Sequence, residues 1–144
     1  MIINKLNILV FISNLDGAGA QRTTINLINS FAKKGHKITL IVGSKSANLP
    51  TLNFEISPEI KLIILHKKKT ILCFFNLIYY LLRGNYDVSF SPSPESGTVL
   101  YFSSIFAFYS GKVILRESNF RSYKNTYLSW RENFTKIAFK NCDH

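Results

Sequence analysis

Short apolar runs alternate with longer helical patterns along this chain, and the alternation predicts its secondary structure. The first run, Ile8–Ile12, ends at a glycine-bearing turn, and apolar residues at helical spacing follow as far as Gly35. A second apolar run, Ile38–Val42, begins directly afterwards. A strand, a turn, a helix and a strand in this order predict a right-handed βαβ unit, which is the start of a parallel sheet.

The rest of the chain continues the alternation of strands and helices. It therefore predicts an α/β fold, with a doubly wound, Rossmann-like parallel sheet in the strand order 3-2-1-4-5. Polar or proline-containing residues in segments 43–58 and 92–97 predict loops. The further predicted strands are Ile60–Leu65, Asp87–Ser91 and Lys112–Leu115, and the further predicted helices are Thr70–Arg83, Thr98–Tyr109 and Phe120–Lys140, the last with an apolar stripe at Trp130, Phe134 and Ile137.

Composition indicates one folded domain over residues 1–144. Hydrophobic residues make up 47% of the chain and charged residues 18%, which excludes an intrinsically disordered protein. The two cysteines are far apart and suggest neither a zinc site nor a disulfide framework. No signal-peptide pattern precedes the first strand, so we expect a cytoplasmic protein. The three histidines form no catalytic set or metal cluster, so we expect no metal.

The net charge of +10 attracts anionic partners such as phosphorylated substrates, nucleic acid or anionic lipid. No nucleic-acid recognition motif is present in the sequence, so we expect no nucleic-acid partner. The basic run Lys67–Lys69 precedes the apolar segment Thr70–Arg83, which is too short to span a bilayer. This segment is either a core helix on one face of the sheet or an interfacial element, with its basic residues, Tyr79 and Tyr80 at lipid headgroups.

The turn after the first strand is a candidate binding site, because open α/β sheets bind ligands at the carboxyl ends of their strands. Gly17 and Gly19 fit the start of a dinucleotide-binding G-x-G-x-x-G loop, but Arg22 replaces the third glycine and no acid ends the second strand. The Gly-Lys-Ser/Thr ending of a Walker A loop is also missing. Two interpretations stay open. Either the helix N-terminus and Arg22 bind an anionic oxygen together, or the glycines only allow a sharp turn and Arg22 is solvated.

Segment 92–97 follows the predicted fourth strand and so lies at the same edge of the sheet. Ser91, Ser93 and Glu95 are candidates for hydrogen bonds to sugar hydroxyl groups. The alternative is structural, since Ser93 or Ser96 would cap the next helix and Glu95 would lie near the positive end of its dipole.

Three short segments resemble family 4 glycosyltransferases, which have the two-domain GT-B architecture. Gly17–Arg22 (GAGAQR) is similar to a loop of their N-terminal domain, with Gln21 where the family more often has Glu. Lys34–Leu40 (KGHKITL) is similar to the start of its second strand. Lys112–Asn119 (KVILRESN) resembles a strand and loop of members that build bacterial surface polysaccharides, and only its Glu and Asn keep their places in that pattern.

The resemblance implies the N-terminal, acceptor-binding half of an enzyme that transfers a sugar from a nucleotide-sugar to a glycan or lipid-linked acceptor in bacterial surface polysaccharide synthesis. The donor would bind chiefly to a C-terminal domain outside these residues, so we expect the chain alone to be inactive. The class typically needs no metal, and no cofactor besides the donor substrate is implied. The residues expected to bind substrate or phosphate are Gly17, Gly19, Gln21, Arg22, Glu95, Glu117 and Asn119.

In that family a further strand follows the last helix, and Cys142-Asp143-His144 is similar to its first residues. The resemblance thus implies a sheet that stops before its last strand, and a protein that is peripheral on the inner face of the cell membrane. Two alternatives stay open. One is a stand-alone nucleotide- or phosphate-binding module without catalysis, and the other is a basic adaptor at an anionic membrane surface.

Overall fold

The structure is a computed structural model that describes residues 4–15, 19–44, 55–116 and 130–142. Strands and helices alternate along these residues except between the second and third strands, where no helix is described and the sequence predicts a loop. The strands are β1 (Asn7–Ile12), β2 (Lys37–Ser44), β3 (Lys61–Lys67), β4 (Val88–Ser91) and β5 (Lys112–Leu115). The helices are α1 (Gly19–Lys33), α2 (Phe74–Arg83, after a 3₁₀ turn at Thr70–Cys73), α3 (Pro94–Phe106) and α4 (Trp130–Asn141).

The five strands form one parallel sheet in the order β3-β2-β1-β4-β5. β1 is central, and it pairs with β2 on one side and β4 on the other. Ile8, for example, lies beside Ile38 in β2 and beside Val88 in β4. The predicted α/β class, the doubly wound Rossmann-like sheet and the strand order are therefore confirmed.

Helices cover both faces of the sheet, so alternate residues of the central strand enter two different cores. The connection through α1 runs from β1 toward β2, whereas those through α2 and α3 run in the opposite direction across the sheet. Right-handed crossovers then place α1 on one face and α2 with α3 on the other. Each buried aliphatic or phenylalanine side chain stabilises this arrangement by about 1.5–3 kcal/mol. The α1 core includes Ile8, Val10, Ile12, Ile25 and Ile28, and the opposite core includes Leu9, Phe11, Leu77, Leu81 and Leu100.

β2 continues to Ser44, so the first two residues of the predicted loop 43–58 belong to the strand. Gly43 permits this extension. A Cβ atom there would lie 3.0 Å from the Cys73 sulfur and 3.0 Å from the Ser13 carbonyl oxygen. The Ser44 amide donates to that same carbonyl at 2.8 Å, which closes the end of β1 against β2.

The predicted boundary between loop 92–97 and the following helix is wrong, because α3 already begins at Pro94. Proline is favoured in the first turn of a helix, where its missing N–H costs no hydrogen bond, and Glu95 stabilises the same turn through the helix dipole. Ser93 is the residue before the helix, in an extended conformation. The helix ends at Phe106, and Phe108 then adopts a left-handed conformation with φ of 48°.

The helix predicted at Phe120–Lys140 is described from Trp130, and it packs on α3. Thr98 donates to Thr135 at 3.0 Å, and the rings of Phe102 and Phe134 lie 5.3 Å apart. Phe134 and Ile137 are nevertheless about half exposed, and among the α4 residues whose side chains are described Ala138 is fully buried. The described part of the apolar stripe thus contacts α3 through Phe134 without becoming buried.

None of the helices in the described part of the chain is both long enough and apolar enough to cross a membrane. The last residues of the chain, Asp143 and His144, lie outside the described ranges, as do the implied final strand and segment 117–129.

Candidate functional site

The sheet has one point where the direction of its connections reverses, between β1 and β4. From β1 the chain leads outward to β2, and from β4 it leads outward to β5 on the other side. Loops that diverge in this way leave a crevice at the carboxyl ends of the two strands, where doubly wound sheets bind their ligands. α1 follows β1, and α3 follows β4. The N-termini of both helices therefore lie at this edge, which we call the carboxyl edge.

The start of α1 is held to the end of β1 by a side-chain hydrogen bond. The Gln21 Nε2 atom donates to Asn14 Oδ1 at 2.7 Å, and Gln21 is only 8% exposed. Gln21 thus has an internal partner as well as the predicted position at the binding edge. Gly19 is exposed, and a Cβ atom there would meet nothing within 4 Å. Close packing therefore does not explain this glycine.

Arg22 lies in the first turn of α1 and is exposed. That turn contains no acidic residue, so the positive end of the helix dipole disfavours the guanidinium unless an anion is present. Within the described residues, its guanidinium group has no hydrogen-bond or ion-pair partner. The neighbouring hydroxyl groups are engaged, because Thr23 donates to the Gly19 carbonyl and Thr24 to the Ala20 carbonyl. Arg22 is therefore the side chain of this turn that is free to meet an anionic ligand.

Three serine hydroxyl groups form a cluster where β4 meets α3. The Ser96 Oγ atom lies 2.5 Å from that of Ser91 and 2.6 Å from that of Ser93. Ser91 and Ser96 are fully buried. Ser93 precedes α3 but its side chain makes no capping hydrogen bond, and Ser96 lies inside the helix, so the predicted side-chain cap is wrong. The hydroxyl groups bond to one another instead, and burial removes Ser91 from the candidates for sugar recognition. Gly97 follows, and a Cβ atom there would approach Leu115 of β5 to 3.2 Å, so a small residue allows α3 to pack closely on the sheet.

Glu95 is exposed in the first turn of α3, at the carboxyl edge. Its Oε1 atom accepts a hydrogen bond of 2.7 Å from the Thr70 hydroxyl group. This bond joins the start of α3 to the 3₁₀ turn that follows β3, and it holds the carboxylate in one orientation. Glu95 thus has both properties that the sequence allowed, a favourable place in the helix dipole and access to solvent at the binding edge.

Cys73 lies beneath the same edge and is fully buried. Burial raises the pKa of its thiol, and the nearby Lys67 ammonium group opposes the shift. The thiol therefore stays protonated in the neutral range and is a packing group, not a nucleophile.

Four of the predicted site residues lie at the carboxyl edge. Gly19, Gln21 and Arg22 follow β1, and Glu95 follows the neighbouring strand β4. Gly17, Glu117 and Asn119 lie outside the described residues, so their roles stay predictions. Sequence reasoning missed Asn14 and Thr70, the partners of two predicted residues. Asn14 follows the first strand directly, and the rule that selected the glycine turn would also have selected it, whereas no signal in the sequence indicates Thr70.

The described ranges contain no group of three or more histidine, cysteine, aspartate or glutamate residues that could hold a metal ion. The geometry defines the class as a Rossmann-like α/β protein, and the junction of β1 and β4 is where such sheets bind their ligands. No protein-family model matches this chain, and no curated protein matches it significantly in sequence.

Proposed function

We propose that this chain is the acceptor-binding half of a GT-B glycosyltransferase, which transfers a sugar from a nucleotide-sugar to a glycan or lipid-linked acceptor in bacterial surface polysaccharide synthesis. The observation that carries the proposal is the meeting of two helix N-termini at the carboxyl edge, with the exposed Arg22 in one and the exposed Glu95 in the other. An arginine with free backbone N–H groups suits a phosphate, and a carboxylate suits sugar hydroxyl groups.

Two of the three segments that resemble the family lie at turns of the βαβ unit, which supports the proposal. GAGAQR spans the connection from β1 into α1. KGHKITL spans the turn from α1 into β2, where Gly35 has a φ of 86° and so occupies a conformation that few other residues adopt. The Lys5 side chain lies against this turn, 3.3 Å from the position that a Cβ atom would take.

In the proposed reaction, the chain binds and orients the acceptor. Arg22 and the first N–H groups of α1 hold a phosphate of the acceptor, and the carboxylate of Glu95, oriented by Thr70, accepts a hydrogen bond from a sugar hydroxyl group. A second domain holds the donor. Alignment of two reactants can supply about 7–11 kcal/mol of the barrier, and one half of a cleft does not align both. The proposed enzyme works in the cytoplasm and uses neither a metal nor a cofactor besides its donor.

A stand-alone nucleotide- or phosphate-binding module is the second candidate, because its sheet would have the same binding edge. A dinucleotide site of this kind places an acidic residue at the end of the second strand to bind the ribose. β2 ends at Gly43-Ser44 instead. This difference favours the transferase half.

The purified chain tests the proposal in assays with a panel of nucleotide-sugars and with inorganic pyrophosphate. We expect no released nucleoside diphosphate and no thermal shift with nucleotide-sugars, but stabilisation by pyrophosphate. A ligand at a hundredfold excess over its Kd adds about 2.7 kcal/mol of stability, which raises the Tm of a domain of this size by roughly 5–11 °C.

Two variants localise the response to pyrophosphate. Arg22→Ala should abolish it, whereas Lys34→Ala, which removes an exposed cation at the opposite end of α1, should keep it. Turnover by the chain alone, or its stabilisation by micromolar nucleotide-sugar, would overturn the proposal and favour a different module.

A further inference from the structure

α2 carries two apolar sides, and the sheet covers only one of them. Leu77 and Leu81 are buried against the sheet. Phe75, Tyr79 and Leu82 occur at the spacing i, i+4, i+7, which places them together on the opposite side. Their exposed fractions are 78%, 51% and 60%. The helix therefore is a core helix on one side and has a free apolar surface on the other.

The exposed surface continues from α2 to the end of α3. The Phe74 ring contacts Phe75 at 5.3 Å and Phe106 at 5.4 Å between centroids, so aromatic rings connect the two helices. Ile105 and Phe106 are 49% and 63% exposed. We call this surface the apolar face, and its members are Ile71, Phe75, Tyr79, Leu82, Ile105 and Phe106.

Basic residues flank the apolar face at both ends of α2. Lys67–Lys69 immediately precede the 3₁₀ turn, and Arg83 ends the helix with its guanidinium carbon 5.1 Å from the centroid of the Tyr79 ring. The sequence from residue 60 to residue 86 contains no acidic residue. The acid that meets this segment from α3 is Glu95, through its hydrogen bond to Thr70. The face thus combines exposed hydrophobic and aromatic groups with positive charge along one helix.

We propose that the apolar face binds the surface of an anionic lipid bilayer, with α2 lying in the plane of the headgroups. Apolar side chains of such a helix enter the boundary of headgroups and acyl chains, tyrosines lie at headgroup level, and lysine and arginine contact lipid phosphates. Charge complementarity selects lipid over a second copy of the chain, because both ends of α2 are basic and symmetric pairing of this face would bring Lys67–Lys69 and Arg83 near basic residues of the other copy.

The proposal also orients the protein. β3 ends at the carboxyl edge, so Lys67–Lys69 bind the membrane next to the candidate site. α2 then runs back along the sheet, so the strands lie along the bilayer and the crevice opens beside its surface. This inference does not depend on the proposed function, because the membrane would hold the carboxyl edge in the same orientation whatever ligand binds there.

Flotation of the purified chain with vesicles tests the charge dependence. We expect binding to vesicles of phosphatidylcholine mixed with phosphatidylglycerol at low salt, less binding at high salt, and little to phosphatidylcholine alone. Each basic residue at an anionic surface strengthens binding about fivefold, and the attraction decays within a Debye length. Lys68→Glu with Lys69→Glu should therefore weaken binding by at least about 25-fold.

The matched control is Lys33→Glu with Lys34→Glu, which lowers the net charge of +10 by the same amount at two exposed positions at the end of α1, on the other side of the sheet. The control should bind vesicles like the unaltered chain. An equal loss in both double variants would mean that net charge alone drives binding, and it would overturn the assignment to this face. Salt-insensitive binding would contradict the proposal as well.

Insertion of the face is tested by fluorescence, in a Trp130→Phe background because the chain has one tryptophan. Phe75→Trp should shift its emission to shorter wavelength with anionic vesicles and be quenched by brominated lipid. Leu27→Trp, at a 40% exposed position on α1, should show neither change. The contrary outcome is a chain that does not bind vesicles but self-associates as its concentration rises, with Phe75→Ser abolishing the self-association. The apolar face would then join two copies of the chain, and the proposal would be wrong.

Discussion

Replacement of Arg22 by alanine separates a ligand-binding role for this residue from a structural one. The side chain is exposed, and within the described residues it has no partner to lose. Alanine and arginine are both good helix formers, so surface truncation changes stability by no more than about 0.5 kcal/mol. Removal of a cation from the first helical turn adds about 0.3–1 kcal/mol in favour of the variant. Together these terms predict a Tm that is nearly unchanged or raised by up to roughly 6 °C.

Binding should respond in the opposite direction. A hydrogen bond to a charged group is worth about 1.5–3 kcal/mol, so Arg22→Ala should weaken pyrophosphate binding by roughly 10- to 150-fold. Isothermal titration of the chain with pyrophosphate measures this change directly, and differential scanning fluorimetry without ligand measures the stability.

The neighbouring Gln21 provides an internal comparison. Gln21→Ala removes the 2.7 Å bond to Asn14 from a side chain that is nearly buried, at a cost of about 1 kcal/mol or more. Its Tm should fall by roughly 2–4 °C. A fall of this size in Arg22→Ala, with unchanged pyrophosphate affinity, would refute the ligand-binding role and make Arg22 a structural residue.

Two further predictions concern residues beneath the carboxyl edge. Gly43→Ala should lower the free energy of unfolding in urea by about 1–3 kcal/mol, because its Cβ atom would press on Cys73 and on the backbone. Gly19→Ala has open space around its Cβ atom, so it should leave the free energy of unfolding unchanged or raise it by up to about 1 kcal/mol. In the native chain, iodoacetamide should modify the half-buried Cys142 before the buried Cys73, because burial raises the pKa of the Cys73 thiol above its usual value of 9.0. Peptide mass spectrometry would show the order of modification. The unfolded chain loses the Cys73 proton first, so the contribution of this thiol to stability is complete below about pH 9 and is lost as the pH rises further. Equal reactivity of the two thiols would contradict this account.

The architecture was predictable from the sequence because apolar periodicity and the order of elements act over the whole chain. Ile8–Ile12 is a continuous apolar run, and Ile38–Val42 is interrupted only by Thr39, as expected of strands buried on both faces. The alternation of such runs with helices then leaves few arrangements of a parallel sheet. Boundaries were less predictable. Pro94 ends a loop or starts a helix equally well by sequence, and the packing of α3 on the sheet decides between them.

The sequence placed the candidate residues at the carboxyl edge of the sheet, but it did not predict their contacts. The rule that ligands bind at the carboxyl ends of strands selected the neighbourhood of Arg22 and Glu95. The rule did not predict the hydrogen bonds of Gln21 with Asn14 or of Ser91 with Ser96, because these depend on how separate elements meet in space. α2 shows the same limit, since nearly all of its residues are apolar and only the position of the sheet determines that Leu77 is buried while Phe75 is exposed.

The central place of β1 has a consequence for the order in which the sheet is made during translation. β1 is the first of the five strands to be synthesised, and Ile8 can pair with Ile38 of β2 well before Val88 of β4 has been synthesised. At 5–20 residues per second, the interval between the end of β2 and the start of β4 lasts roughly 2–9 s. During this interval one edge of the most buried strand has no native partner, and unpaired edges are templates for aggregation. The nascent chain is therefore most exposed to mispairing after its first βαβ unit is complete, and the arrival of β4 ends that period.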